Sequence, residues 1–405
     1  MKLLSRISDF YYGLDRKKLW IFWTANILWI ILLFSYICCF EANAVSWEKN
    51  IPTLAPLNCK SALLMEAETG RVLYEQNADE ALPPASVTKI MTLLLTMEAI
   101  EKETLTPDQM LTASANAASM GGTQIFLEAG EQMSVEELLK SVIIASANDA
   151  AVVLAEAIAG SEESFVSMMN SRASELGMKN THFENTNGLD DTVTDHVTSA
   201  RDIAIMSREL IAHEKILEYS SIWMDTVRDG EFGLTNTNRL VRFYKGATGL
   251  KTGSTSKAKF CISATAKRDG MHLIAVIMGA ETRDIRNAEA AKLLDWGFAN
   301  YSLYKYEKRS FGEIKLLGSS RTTLECKTDG ISLVVPKGAS EKIEAVTELP
   351  ESVKAPVRAD EVIGRVVFRL NGETLGEAGI VSSTDASPIS FGELLLIMLQ
   401  RFILW

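Results

Sequence analysis

The sequence predicts an α/β chain of the α+β type, in which an antiparallel sheet and a helical cluster precede a small all-β domain. Strand-like segments come first, helical periodicity fills the middle, and strands with one more helix close the first domain. Short strand-like segments bounded by turn residues follow. The chain has 405 residues, 47% of them hydrophobic, which suits roughly two or three domains with packed cores.

The first domain begins with a predicted hairpin. Hydrophobic and polar residues alternate over 61–76, on both sides of a Glu-Thr-Gly turn at 68–70. Two prolines at 83 and 84 end this region, and apolar residues with helical spacing follow from Ser86. Ser134 and Glu137 have the spacing of a capping box, so another helix is expected to begin there.

Further elements follow from the same signals. A helix over 148–158 is expected to stop at Gly160, a common helix-ending residue. Two β-rich segments are joined by an Arg-Asp-Gly turn at 268–270. The other expected elements are helices over 162–176, 199–212 and 286–301 and strands over 260–266, 273–278, 313–317, 330–335 and 362–370.

The two ends of the chain are the least polar parts. Residues 19–40 form an almost uncharged segment behind three basic residues at 16–18, and Ala-Asn-Ala at 42–44 fits a signal-peptidase site. Residues 1–44 are therefore predicted to be an export signal, with a retained membrane anchor as the alternative. Both interpretations place the rest of the chain outside the cytoplasm.

At the other end, residues 391–405 are too few to span a bilayer as a helix. Their polar residues fall on one narrow side of a helix, which favours a helix lying in the membrane surface over one docked on the β domain.

Charge and motif content exclude several classes of protein. A net charge of −11 argues against a nucleic-acid-binding protein. The pair His213-Glu214 is not completed to a zinc-binding H-E-x-x-H motif, because position 217 is leucine. We expect no metal, because the histidines at 182, 196, 213 and 272 are scattered along the chain, and no cofactor, because there is no phosphate-binding glycine loop.

The segment from Ser86 to Lys89 is the first candidate for chemistry. A serine hydroxyl needs a base to act as a nucleophile. Positions i and i+3 share a helix face, so Lys89 can reach the Ser86 oxygen. A partly buried lysine near other cations can be neutral enough to accept a proton. Taken alone, the pair is as well explained by a capping serine and a solvated lysine.

Two further motifs lie downstream. Ser146 and Asn148 fall where two predicted helices meet, so that a serine can relay a proton and an asparagine can hold a carbonyl. Lys251, Thr252 and Gly253 lead into the late β-rich region, where a cation and a hydroxyl suit a carboxylate and a glycine admits a ligand backbone. Taken separately, the Ser146 motif is explained as well by two helix caps, and the Lys251 motif by an edge strand with an ordinary surface lysine.

The three motifs in the order S-x-x-K, S-x-N, K-T-G form a set typical of β-lactamases and penicillin-binding proteins. With the segments 84–92, 118–122, 146–150, 236–238 and 249–253, the chain resembles serine D-alanyl-D-alanine carboxypeptidases, the low-molecular-mass penicillin-binding proteins of the S11 family. The resemblance covers about residues 50–405 and is strongest to sporulation-type members from Gram-positive bacteria.

The resemblance implies a β-lactamase/transpeptidase-like catalytic domain over 45–303, a β-rich domain over 304–385 and an amphipathic membrane helix over 388–405. It implies an enzyme of cell-wall biogenesis and cell shape that removes the terminal D-alanine of peptidoglycan pentapeptides and is acylated by β-lactams.

Site roles follow from the same resemblance. Ser86 would form the acyl-enzyme and Lys89 would accept its proton. Ser146 would complete the proton network, and backbone N–H groups at Ser86 and near Ser254 would stabilise the oxyanion. The substrate-binding residues would be Asn148, Lys251, Thr252 and Gly253.

Two other functions stay open on the sequence. A class A β-lactamase shares the three motifs but needs a deacylating glutamate in an E-x-x-L-N context, and Glu184 lacks that context. A membrane-tethered cell-wall-binding protein with a degenerate site is the non-enzymatic alternative.

Overall fold

Two main sheets organise the part of the chain that the structure describes. The computed structural model describes residues 51–191 and 193–403, with the backbone alone for 401–403. The predicted export signal at 1–44 lies outside these residues. The strands are β1 Ser61–Glu66, β2 Val72–Gln76, β3 Met110–Thr112, β4 Gln132–Ser134, β5 Met224–Val227, β6 Phe232–Thr235, β7 Ala247–Thr255, β8 Lys259–Arg268, β9 Met271–Ala280, β10 Tyr301–Tyr306, β11 Arg309–Leu317, β12 Thr323–Thr328, β13 Ile331–Pro336, β14 Ile343–Glu348, β15 Ser352–Lys354, β16 Val362–Leu370 and β17 Glu373–Ser382.

The helices lie mostly between β2 and β7. They are α1 Lys89–Glu101, α2 Ala115–Ala118, α3 Val135–Lys140, α4 Asn148–Ala159, α5 Glu162–Glu175, α6 Ala200–Ala212, α7 Glu214–Ser220, α8 Leu240–Phe243, α9 Arg283–Asn300 and α10 Phe391–Ile403. Ser134 accepts a hydrogen bond from the Glu137 N–H, which confirms the predicted cap of α3. Gly160 ends α4 in the left-handed conformation, as its position predicted.

The first sheet is antiparallel, as predicted, with the strand order β2-β1-β9-β8-β7. Both of its faces are covered, so its central strands are apolar almost throughout. Leu63 and Ile274 point into the core of the helical cluster. Leu64 and Leu273 point the other way, because a Cβ on Gly297 of α9 would lie 2.7 Å from either side chain. The helical cluster therefore covers one face of the sheet, and α9 covers the other.

Two helix boundaries differ from the sequence prediction. Residues Ala85–Thr88 form a 3-10 turn, so the α-helix expected from Ser86 begins at Lys89. The last helix of the first domain begins at Arg283 rather than at residue 286. The cause is Thr282, whose side chain accepts a hydrogen bond from the Ile285 N–H and caps the helix earlier.

The β-rich domain has a six-stranded sheet in the order β14-β16-β17-β12-β11-β15. Its core includes Leu324, Val366, Phe368 and Ile380. The aromatic ring of Phe368 packs edge-on against Tyr306, with ring centroids 4.9 Å apart. These residues form a second hydrophobic core, and the domain built around it is the small all-β domain that the short strand-like segments predicted.

The terminal helix α10 follows this domain. Its apolar side chains are exposed: Phe391 is 81% exposed and Met398 62% exposed. Among the described residues, no helix combines the length and the apolar character needed to cross a membrane.

Candidate active site

The candidate nucleophile lies in a tightly held turn. Ser86 is in the 3-10 turn that leads into α1. The residue before it, Ala85, has φ of 49°, a conformation that costs a non-glycine residue free energy. Gly188 packs directly beneath this turn, and any Cβ there would overlap the Ala85 carbonyl oxygen. Tertiary packing therefore sets the position of Ser86.

Lys89 is completely buried beside Ser86. Its Nζ donates to Ser86 Oγ at 2.9 Å and to the Asn187 carbonyl oxygen at 2.7 Å. The i to i+3 spacing thus brings the two side chains together as the sequence predicted. Asn187 was not predicted, because it is far from the motif in the chain.

Burial and a neighbouring cation lower the pKa of the Lys89 side chain. Loss of hydration and then repulsion from Lys251 lower the pKa of Lys89 well below its usual value, and attraction by Asp149 opposes them only in part. A lysine of this kind can be neutral and can accept a proton from a hydroxyl.

Ser146 lies opposite, at the end of a π-helical turn, Ser141–Ala145, that follows α3. Its φ of 70° is left-handed, and strained turns of this kind cluster at functional sites. Its Oγ accepts a hydrogen bond from Lys251 Nζ at 2.8 Å. The second and third motifs are thereby joined directly.

Lys251 is buried on strand β7. Burial first, and then repulsion from Arg286, lowers the pKa of Lys251 to about 7. Its Nζ also donates to the Thr252 carbonyl oxygen at 3.0 Å. Thr252 Oγ1 in turn donates to Thr237 Oγ1 at 2.8 Å, so a hydroxyl pair stands beside the ammonium group.

Strand β7 forms the edge of the first sheet and passes close to the nucleophile turn. A Cβ on Gly253 would lie 2.7 Å from the Pro84 carbonyl oxygen and 2.9 Å from the Ser86 nitrogen. The glycine of the third motif therefore lets the strand and the turn approach each other. The unpaired edge of β7 is available to an extended peptide.

Asn148 is the first residue of α4 and is almost fully buried. Its Nδ2 donates to the Gly121 carbonyl oxygen at 2.7 Å and its backbone N–H donates to the Thr123 carbonyl oxygen at 2.7 Å. Its Oδ1 has no hydrogen-bond partner among the described residues. A buried acceptor without a donor is costly unless a ligand supplies one.

His196 supports the nucleophile turn from behind. Its Nδ1 accepts from the Glu184 N–H at 3.0 Å, so Nε2 carries the proton and donates to Thr88 Oγ1 at 2.7 Å. Thr88 Oγ1 donates to the Ala85 carbonyl oxygen at 2.8 Å. Burial lowers the pKa of His196 to about 4, which keeps the ring neutral.

These side chains surround one cavity of about 690 Å³. Ser86, Ser146, Thr252 and Gly253 line it, with further residues outside the three motifs. Those further residues are Thr123, Trp223, Thr235, Asn236, Thr237, Arg239, Phe243, Ser254, Arg283 and Arg286. Within 51–191 and 193–403, no three His, Cys, Asp or Glu side chains are arranged to hold a metal ion.

Comparison with known proteins identifies the family. The sequence model described as D-alanyl-D-alanine carboxypeptidase matches residues 48–282, and that of the penicillin-binding protein 5 C-terminal domain matches residues 298–387. The D-alanyl-D-alanine carboxypeptidase DacF of Bacillus subtilis is 43% identical over 339 residues, which cover 82% of this chain and 87% of that protein. The chain belongs to the D-alanyl-D-alanine carboxypeptidase family.

Solved structures agree with this assignment. Penicillin-binding protein 5 from Haemophilus influenzae is 31% identical, with a TM-score of 0.75 over 83% of this chain and 99% of that one. Penicillin-binding protein D2 from Listeria monocytogenes, solved in its ampicillin-bound form, is 34% identical, with a TM-score of 0.56 over 61% of this chain and 100% of that one. The expected family and the expected fold, a transpeptidase-like domain followed by a β domain, are both confirmed.

The same comparisons favour the carboxypeptidase over the two alternatives left open by the sequence. The protein is a serine-type D-alanyl-D-alanine carboxypeptidase and a penicillin-binding protein. In the structure, Glu184 accepts hydrogen bonds from the Thr194 and Asp195 N–H groups at 2.8 Å, so its carboxylate holds a loop.

Proposed function

We propose that Ser86 is the nucleophile that removes the terminal D-alanine from peptidoglycan pentapeptides. The observation that carries this proposal is the contact of Ser86 Oγ with a buried Lys89 whose pKa is depressed. Neutral Lys89 keeps one hydrogen on the Asn187 carbonyl and accepts the Ser86 proton as Oγ attacks the penultimate D-alanine carbonyl.

The negative oxygen that develops on the attacked carbonyl needs hydrogen-bond donors close to Ser86. The Ser86 N–H is at the positive end of α1, where negative charge is favoured. The Ser254 N–H on β7 supplies the second donor, because Gly253 brings that strand against the turn. Two converging backbone donors form an oxyanion hole.

Lys251 and Ser146 complete the reaction. Charged Lys251 attracts the terminal carboxylate, and the hydroxyls of Thr252 and Thr237 orient it. Ser146, bonded to Lys251, relays a proton to the departing amine. Asn148 Oδ1 accepts a donor from the substrate, which would satisfy its unused hydrogen-bonding capacity. Water then hydrolyses the ester on Ser86.

The domain boundaries and the cellular location belong to the same proposal. Residues 1–44 direct export and 45–303 form the catalytic domain. Residues 304–385 form the β domain, and 388–405 hold the enzyme at the outer face of the cytoplasmic membrane. The exposed apolar side chains of α10 support the last assignment, since an uncovered apolar helix face is costly in water. The enzyme then trims stems in the wall and influences cell shape.

Release of D-alanine from a synthetic pentapeptide tests the catalytic assignment. We expect Ser86→Ala to lower kcat by about 10⁴-fold or more, because the covalent step is lost. Lys89→Gln should have a comparable effect, and Ser310→Ala, which changes a serine of the β domain, should have none. Turnover by Ser86→Ala at the wild-type rate would contradict the proposal.

A further inference from the structure

The segment of residues 236–238 joins the second and third motifs in space. The Thr237 N–H donates to the Ile144 carbonyl oxygen at 3.0 Å, in the π-helical turn before Ser146. The Thr237 side chain faces strand β7, where its Oγ1 accepts a hydrogen bond from Thr252 Oγ1 at 2.8 Å. One residue outside the three motifs therefore contacts both the turn of the second motif and the strand of the third.

The Thr237 hydroxyl is placed to donate to a ligand. Because its oxygen accepts the bond from Thr252, its own hydrogen is available to a group in the cavity that Thr237 lines. Lys251 precedes Thr252 in β7, and a carboxylate can accept hydrogen bonds from an ammonium group and from hydroxyls together. The position of the hydroxyl oxygen depends on the backbone at residue 237, so the residues that fix this backbone also decide how well the carboxylate is bound.

Asn238 fixes the segment on the side of β7. Its side chain is fully buried, with Nδ2 donating to the Gly249 carbonyl oxygen at 2.7 Å and Oδ1 accepting from the Leu240 N–H at 3.0 Å. The β7–β8 pairing shifts register between Ala247 and Gly249, as at a β-bulge, a feature that re-aims side chains beside active sites. Asn238 therefore fastens the segment to β7 just before the third motif.

Asn236 fixes the segment on the opposite side. It is only 3% exposed, and its Nδ2 donates to the carbonyl oxygens of Ser220 at 3.1 Å and Ile222 at 2.8 Å. Its Oδ1 accepts from the Asn238 N–H at 2.9 Å, two residues further on. Asn238 bonds in the same way to the N–H two residues beyond itself, so two consecutive Asx turns enclose Thr237.

We propose that Asn236 and Asn238 are positioning residues that hold the Thr237 hydroxyl against the terminal carboxylate of the substrate. The inference rests on the proposed function, in which Lys251 attracts that carboxylate. The two asparagines act through Thr237 rather than on the reacting atoms, because their amide groups bond to the protein backbone. Loss of either amide weakens binding of the carboxylate and leaves the nucleophile turn unchanged.

A double-mutant cycle on the release of D-alanine from a synthetic pentapeptide tests the inference. We expect Thr237→Val and Asn238→Ala each to lower kcat/KM about 10-fold, mainly through KM, because a hydrogen bond to the carboxylate is lost. In the Thr237→Val background, Asn238→Ala should lower kcat/KM by less than about 2-fold, since the hydroxyl that it positions is already gone. Thr237→Ser, which keeps a hydroxyl, should stay within about 3-fold of the wild type. An equal loss from Asn238→Ala in both backgrounds would show a purely structural role and overturn the inference.

Asn300→Ala is the matched control. Asn300 Nδ2 donates to the Trp296 carbonyl oxygen at 2.8 Å, at the end of α9 opposite to the one that lines the cavity, so its loss should not change kcat/KM. If Asn238→Ala does not fold, Asn238→Asp takes its place in the cycle, because aspartate keeps the shape but lacks the N–H donors. Wild-type kcat/KM in Thr237→Val would also overturn the inference and leave the proposed function standing. No release of D-alanine by the wild-type enzyme would overturn the proposed function itself.

Discussion

At the scale of single residues, the site separates two lysines into different roles. Lys89 touches Ser86, while Lys251 touches Ser146. Burial is the main cause that lowers the pKa of both lysines; repulsion from Lys251 lowers the pKa of Lys89 further, and repulsion from Arg286 does so for Lys251. Lys89 thereby becomes a base, whereas Lys251 regains its charge when an anion binds beside it.

The two lysines predict a defined pH profile. In the free enzyme, Lys251 loses its proton as the pH rises through about 7. We therefore expect kcat/KM to fall above about pH 7, mainly through KM, because the neutral amine attracts a carboxylate less strongly. On the acid side, kcat/KM should fall as Lys89 becomes protonated. Steady-state kinetics between pH 5 and 10 provide the measurement, and a profile flat across this range would exclude these roles.

The contacts of His196 predict that this residue helps to position Ser86. It reaches the nucleophile turn through Thr88, so its loss should loosen the strained conformation of Ala85. We expect His196→Leu to lower kcat by about 10-fold with little change in KM, since misplacement of a nucleophile slows the chemical step.

The conservative variant His196→Gln separates positioning from general damage to the fold. Glutamine can place an N–H donor near the Nε2 position, so most of the lost kcat should return. If His196→Gln and His196→Leu are equally slow at equal thermal stability, the hydrogen bond to Thr88 has no part in catalysis.

At the scale of elements, the site depends on how closely β7 approaches the turn before α1. In Gly253→Ala, the added Cβ would lie 2.7 Å from the Pro84 carbonyl oxygen, so the strand and the turn must separate. We expect a fall in kcat/KM on the order of 100-fold, as for other small displacements of reacting groups. Gly233→Ala is the control, because a Cβ there meets no atom within 4 Å. Equal activity of the two variants would show that this approach is not needed.

Local sequence signals predicted most elements but only part of the site. Capping residues, turn residues and the three motifs are short-range patterns, and the structure brings Ser86, Lys89, Ser146 and Lys251 together. Asn187 and His196 could not be predicted, because their contacts to Lys89 and Thr88 cross 98 and 108 residues of chain without a recurring spacing. Arg286 gave no signal either, because a single arginine on a helix is ordinarily exposed.

At the scale of the whole molecule, the β domain is tied to the catalytic domain beside the first hairpin. Lys305 forms an ion pair with Glu68 at 2.6 Å, and Arg71 donates to the Val334 carbonyl oxygen at 3.0 Å. These contacts lie on the turn between β1 and β2 rather than at the cavity. The β domain is thus suited to carry α10 without blocking the active site.

The terminal helix gives a prediction for the intact enzyme. A chain of residues 45–405 should sediment with lipid vesicles, whereas one of residues 45–387 should stay in solution, because the exposed apolar face of α10 is removed. D-alanine release from a soluble pentapeptide should be the same for both chains. Equal sedimentation would show that α10 does not hold the enzyme at a membrane.

The most direct test of the central claim is the covalent adduct on Ser86. After incubation with benzylpenicillin, intact-mass measurement should show one penicilloyl group per chain, and peptide mapping should place it on Ser86. Ser86→Ala should carry no adduct, and the wild-type adduct should persist much longer than a β-lactamase intermediate. An adduct on another residue, or rapid turnover of penicillin without an adduct, would contradict the assignment of Ser86 as the nucleophile of a carboxypeptidase.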